Sequence, residues 1–269
     1  MSWSGGTFGE TGTCVLAPNA DMMTLDGTNT WVLRDPDSSR SIVVDPGPSI
    51  ERHLDAIDAV AGDVSAVLLT HHHADHSEAA REYAERHGCG VRALDPAYRL
   101  GSEGLGEGDV VAIGGLEIHV VGTPGHTSDS LSFVVPRDRA VLTGDTVLGR
   151  GTTVVAHPDG QLGAYLASLQ RLHALCGEQG ITSVWPGHGP VIDDALGALD
   201  YYIAHRAERL AQVESAVAEL RDQPHPEGLA ADELPRRVVE IVYADVDPVL
   251  WGAAELSVRA QLAHLAHRD

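Results

Sequence analysis

A chain of 269 residues with 43% hydrophobic content can bury a proper core, as one large domain or as one domain with an appendix. All 18 basic residues are arginines, set against 39 acidic ones, and the net charge of −21 opposes the non-specific attraction to nucleic acid that rests on excess positive charge. Three scattered cysteines (Cys14, Cys89, Cys176) argue against a disulfide framework or a CxxC zinc site, and no run approaches the about 18 apolar residues of a membrane span. The N-terminus lacks the basic-then-apolar pattern of a secretory signal, so a cytoplasmic protein without a membrane partner is expected.

Residues 1–13 are rich in Gly and Thr and are expected to be flexible. Cys14-Val-Leu-Ala and Trp31-Val-Leu-Arg read as strands, and so does Ser41-Ile-Val-Val, which ends in Asp45 and is stopped by Pro46-Gly-Pro. Asp45 either caps that turn or sits behind a metal-bound imidazole and orients it. Ile50 to Ala61 reads as a helix, Ala66 to Thr70 as a buried strand, and 77–87 as a helix with Ser77 placed to cap it. Short strands at 91–94, 109–113, 116–121, 131–135 and 140–143 follow, punctuated by Gly, Pro and Asp. A helix over about 162–176 and a strand from Thr182 come next. From Ala195 to Leu220 the chain is almost all helix former; Gln223-Pro-His-Pro-Glu-Gly breaks it, and helical segments over 230–243 and 248–267 close the chain. The expected division is 1–13, a catalytic domain over 14–207, and a helical module over 208–269.

Thr-His-His-His-Ala-Asp-His, residues 70–76, joins the buried strand to the helix after it. His71, His73, Asp75 and His76 are nitrogen and carboxylate donors of the kind that suits zinc, iron or manganese. Four such groups this close repel one another, or waste their hydrogen bonds, unless a cation satisfies them. His72, between ligands, is expected to point away. Three later loops each follow a strand and each offer one more donor: Thr123-Pro-Gly-His126, Thr143-Gly-Asp145 and Trp185-Pro-Gly-His188. In each, glycine lets the backbone turn sharply enough to aim a side chain from the strand end.

The ordered set His71, His73, Asp75, His76, His126, Asp145 and His188 resembles the metallo-β-lactamase superfamily, over residues 14 to about 192. Thr24-Leu-Asp-Gly-Thr-Asn-Thr30, Gly144 to Thr153, Pro186 to Ile192 and Tyr202-Ile-Ala-His-Arg206 narrow the likeness to the β-lactamase-like protein 2 type. The resemblance implies an αβ/βα sandwich with metals at one edge of two sheets and a small, winged-helix-like C-terminal module. It implies two Zn²⁺ per chain, with manganese or iron as other candidates. His71, His73 and His126 would hold the first metal; Asp75, His76 and His188 would hold the second, and Asp145 would bridge both.

A bridging carboxylate holds two divalent ions about 3.5–4 Å apart and lets a water between them ionise near neutral pH. The expected activity is therefore hydrolysis of an ester, thioester or phosphodiester by a metal-bridging hydroxide, with Asp75 and Asp145 as the catalytic carboxylates. Dizinc β-lactamases of similar fold carry Cys or Ser where this chain has Asp145, which argues against antibiotic hydrolysis. The histidine run also looks like that of glyoxalase II, but no basic C-terminal cluster suits glutathione. Similar proteins include single-strand endoribonucleases, carrier-bound polyketide thioesterases and a mononuclear iron persulfide dioxygenase. The expected partner is thus a small ester or thioester or single-stranded RNA, not duplex DNA, and the chain is expected as a monomer or homodimer. Gly149-Arg-Gly-Thr-Thr153 reads as a substrate loop or a plain connection. Arg150, Thr152, Thr153, His205 and Arg206 are the substrate candidates, with Arg209 as a further cation for RNA.

Overall fold

Two-residue alternation in the strands sets the layers of this computed structural model, which describes residues 2–222 and 232–267. In β4 (Arg40–Val44), Ile42 and Val44 face a second sheet while Val43 faces helices. The first sheet runs β1 (Gly6–Phe8), β2 (Gly12–Leu16), β3 (Asn29–Arg34), β4, β5 (Asp63–Leu68), β6 (Gly90–Arg92) in that order. Its first pairs are antiparallel and β4–β5–β6 parallel, so the parallel steps need crossovers: α1 (Glu51–Ala61), then α2 (Ala74–Ser77) with α3 (Ala80–His87). In the second sheet β7 (Val110–Ile113), β8 (Leu116–Gly122), β9 (Leu131–Val135) and β10 (Ala140–Gly144) meander antiparallel. The 18-residue α4 (Leu162–Gln179) then crosses to the parallel β11 (Ser183–Pro186).

Trp31, Leu33 and Leu68 from the first sheet meet Ile118, Phe133 and Trp185 from the second in the central core. Val43 and Val67 pack outward against Leu54, Ile57 and Tyr83 of α1 and α3. Val134, Val141 and Val184 pack outward against Leu169 and Leu172 of α4 and Leu199 and Tyr202 of α5 (Ala195–Asp222). The result is the expected αβ/βα sandwich. A separate core joins Val213, Val217 and Leu220 of α5 to Val238 and Val239 of α6 (Leu234–Val242) and Val258 of α7 (Trp251–Ala266).

Three expectations are corrected. Residues 6–13 are not loose: β1 and β2 pair as a hairpin and extend the first sheet, with Arg34 N–H donating to Thr11 O at 2.9 Å. The helix expected over 77–87 is two pieces, and Asp75 and His76 already lie in the first. Ser77 therefore ends a helical turn instead of opening a helix, and its hydroxyl donates to His72 O at 2.8 Å. The 207/208 boundary falls inside α5, which runs unbroken for 28 residues and belongs to both cores. The Gln223-Pro-His-Pro-Glu-Gly break and residues 230–231 lie outside the described residues. Among the described residues no strand follows α5, and no helix is long and apolar enough to cross a membrane.

Trp31 and Trp185 stack across the two sheets, with centroids 4.8 Å apart and planes 12° from parallel. Gly12 lies against this pair, and a Cβ there would sit 2.3 Å from the Trp185 ring. Gly12→Ala is expected to destabilise the fold by about 1–3 kcal/mol, the usual cost of overpacking a rigid core. Urea unfolding followed by tryptophan fluorescence measures it.

Candidate metal centre

The loops after β5, β8, β10 and β11 open at one edge of the sandwich and bring together all seven expected donors. His71 Nε2 lies 3.0 Å from His73 Nδ1, which lies 3.1 Å from His126 Nε2. Beside them, His76 Nε2 and His188 Nε2 stand 3.3 Å apart. Asp75 Oδ2 is 3.3 Å from the first of these and 3.2 Å from the second. Asp145 lies between the groups: Oδ2 is 3.7 Å from His126 Nε2 and 3.3 Å from His188 Nε2, and Oδ1 is 3.5 Å from His76 Nε2. Two clusters result, His71–His73–His126–Asp145 and Asp75–His76–His188, each with its donor atoms within 4.8 Å of one another. His72 stands outside both and pairs instead with Asp129 at 2.8 Å.

Four of the inward rings, those of His71, His76, His126 and His188, are held from behind. Asp45, buried and at a positive φ of 51°, accepts the Thr70 N–H at 2.8 Å, the Thr70 hydroxyl at 2.6 Å and His76 Nδ1–H at 2.9 Å. It thus fills both roles the sequence left open, turn cap and imidazole support. Because the Thr70 hydroxyl donates to Asp45, it must accept from His71 Nδ1, 3.0 Å away. Val154 O accepts from His126 Nδ1 at 2.8 Å, and Gly27 O from His188 Nδ1 at 3.1 Å. Carbonyl oxygens only accept, so these Nδ1 atoms carry the proton, and in the neutral ring Nε2 keeps its lone pair. Thr28 Oγ1 donates to Asp75 Oδ2 at 3.0 Å and fixes that carboxylate as well.

This donor set fits metal ions. Imidazole nitrogens converge on one another at 3.0, 3.1 and 3.3 Å, where only shared protons or a cation can hold them together, and Asp145 Oδ1 is buried with no hydrogen-bond partner among the described residues. Burial, then the charge of His76, holds His71 well below the ordinary histidine range, and burial and His126 push His73 down to about 4. Burial alone would lower His76 and His188 too. Instead Asp75, Asp145 and Asp45 hold His76 well above its usual value, and Asp145 and Asp75 raise His188 to about 9. Burial would likewise raise Asp75 and Asp145, but the neighbouring His76 and His188 hold both carboxyls below the usual range. The charge that a cation would bring to this pocket is met by two carboxylates already ionised.

Residues 23–211 match the model of the metallo-beta-lactamase superfamily, and 235–269 match that of the beta-lactamase associated winged helix domain. The chain belongs to the metallo-beta-lactamase superfamily. It is 32% identical over 251 residues to a beta-lactamase-like protein 2 homolog of Caenorhabditis elegans, covering 87% of this chain and 76% of that one. It is 30% identical over 237 residues to an atrochrysone carboxyl ACP thioesterase of Aspergillus aculeatus, covering 85% and 72%. A crystal structure of a metallo-beta-lactamase family protein from Thermus thermophilus superposes with a TM-score of 0.75 at 20% identity, covering 96% of this chain and 94% of that one.

In this member of the metallo-beta-lactamase superfamily a cleft of about 350 Å³ leads from His126 and Asp145 to the C-terminal module. The substrate candidates Arg150, Thr152, Thr153, His205 and Arg206 all line it. Thr153 is turned inward, its hydroxyl spent on Asp145 O at 2.6 Å, so it shapes the loop and is not a free donor to substrate. Arg150 is tied to Asp26. The remaining lining was not legible in the sequence. Met22, Met23 and Leu25 come from before β3, and Tyr243, Val246 and Leu250 from the module. The sequence shows only their apolar character, which does not tell a cleft wall from a core; in the structure Met22 and Met23 are exposed.

Two variants test the centre. A Cβ on Gly187 would sit 2.4 Å from Asp145 Oδ1 and 2.8 Å from His76 Cε1. Gly187→Ala is expected to lower the metal bound per chain relative to wild type, read by plasma mass spectrometry, with the far-UV circular dichroism kept. Asp45→Asn is expected to weaken metal affinity about 10- to 100-fold, as loss of an imidazole's supporting carboxylate does, read by chelator competition.

Proposed function

We propose that this chain is a dinuclear, zinc-dependent hydrolase of acyl thioesters. The supporting observation is the cleft: the donor cluster opens onto a small pocket walled by Met22, Met23, Leu25, Leu148, Val246 and Leu250, suited to an apolar acyl group. The thioesterase name of a relative 30% identical agrees with this reading. An RNA groove asks for a cationic track and stacking aromatics. Here Arg150 is paired with Asp26, Arg206 and Arg209 sit three residues apart on α5 and make no extended track, and among the described Phe, Trp and Tyr residues Tyr243 alone lines the pocket.

Bound zinc ions would supply Lewis acidity and a water that ionises near neutral pH. His71, His73 and His126 would hold one ion, Asp75, His76 and His188 the other, and Asp145 both. Asp75, fixed through Oδ2 by Thr28, would orient the attacking water. The water oxygen bonds to the acyl carbon, the carbon–sulfur bond breaks, and the proton finishes on the thiol sulfur. The buried, supported imidazoles keep the geometry constant while charge moves to the acyl oxygen.

The test sets metal-analysed wild type and Asp145→Asn against a panel of acyl thioesters and a labelled single-stranded RNA. Thioester turnover by wild type with two zinc ions per chain, lost in Asp145→Asn, is expected, with the RNA left intact. RNA cleavage that Asp145→Asn abolishes would replace this reading with an endoribonuclease. One iron per chain would point instead to persulfide oxidation.

A further inference from the structure

The cleft wall is at odds with the charge of the whole chain. In a protein of net charge −21, the pocket carries three arginines, and its one carboxylate is Asp145 of the donor cluster. Asp26 neutralises Arg150. Arg206 has no such partner. It is 4% exposed, donates Nη2–H to Thr153 O, and lies with Cζ 4.9 Å from the Tyr165 ring centroid. Its Nε–H is buried with no acceptor. Among the described residues no carboxylate pairs with Arg206, or with Arg209 one turn further along α5, which donates to Val242 O and lies over Tyr243. A guanidinium cannot shed its proton, and a desolvated cation without a counter-ion is costly. Holding Thr153 O would need only a neutral donor. The retained charge and the unused donor call for an anion.

We infer that Arg206 anchors a carboxylate carried on the acyl group of the substrate, so that the preferred thioesters are apolar acyl chains bearing a distal carboxylate; this rests on the thioesterase reading above. The planar, forked guanidinium matches a carboxylate, and the aliphatic walls take the chain between the two ends. Because the pocket lined by Arg206 also reaches Asp145, one molecule spans from the anchor to the donor cluster. A phosphate on the thiol side of a carrier offers similar charge, and the choice of thiol separates the two sources.

The experiment uses full-length, metal-loaded protein and N-acetylcysteamine thioesters, which carry no phosphate. Half-thioesters from butanedioyl to octanedioyl are compared with their methyl esters. For at least one chain length, kcat/KM is expected to favour the free carboxylate on the order of 10- to 100-fold, the worth of a charge-assisted hydrogen bond. Arg206→Gln is expected to bring that ratio close to one, and Arg206→Lys to restore part of it, at wild-type metal content. Calorimetry adds a readout that needs neither turnover nor a variant: wild type should bind octanedioate more tightly than its monomethyl ester. No preference at any length, or a preference that Arg206→Gln retains, overturns the inference while leaving thioester hydrolysis standing. A preference found only with coenzyme A thioesters moves the anion to the thiol side and overturns the acyl-side assignment. Absence of all thioester turnover sinks the thioesterase reading instead, and calorimetry then decides the anchor: equal affinity for the two acids overturns it.

Discussion

The node on which the site depends is the buried carboxylate of Asp45. It receives the backbone and hydroxyl of Thr70 and the imidazole of His76, and through the Thr70 hydroxyl it also sets the proton on His71. One side chain at the end of β4 thereby orients a ring in each donor cluster. The backbone cost of placing a non-glycine residue at φ 51° is borne there because both carboxylate oxygens are used. Val154 O and Gly27 O do for His126 and His188 what Asp45 does for His76.

These supports come from distant parts of the chain, so the sandwich must be closed before the centre exists. Asn29 shows the coupling: its amide group donates to Pro186 O and Gly189 O at 2.9 and 2.8 Å and clamps the loop that carries His188. Trp31, two residues on, stacks on Trp185 in the core just below. Tyr202 and Tyr165 reach from α5 and α4 to the loop after Asp145, at Leu148 N and Thr146 O. The same helix α5 that fixes this loop continues into the C-terminal module, so module and metal edge share a rigid element, with the cleft between them. The cleft-lining groups on α5, His205 and Arg206, are set by that packing.

The donor residues were legible in the sequence because their spacing is local or follows a repeated strand-then-glycine pattern. The strands were legible because apolar alternation has a short period. The split of 77–87 into two helices was not, since at the break the Ala79 amide leaves the helical ladder and donates to Gly47 O, from a distant loop. Nor was the order of the N-terminal hairpin, whose Gly- and Thr-rich residues 6–16 gain order only by pairing with β3 and packing under Trp185.

By itself the sequence determined the superfamily, the two layers of strands and helices, and which side chains are chemically able to meet a metal. Those properties depend on residue type and on separations of a few positions. Only the tertiary structure decided which ring nitrogen faces inward, and that the Thr153 hydroxyl turns to Asp145 O while Arg206 lines the cleft without a carboxylate partner among the described residues. Those outcomes rest on hydrogen bonds and burial between segments that the fold brings together, 28 residues apart from His126 to Val154 and 161 from Gly27 to His188, and no local pattern encodes them.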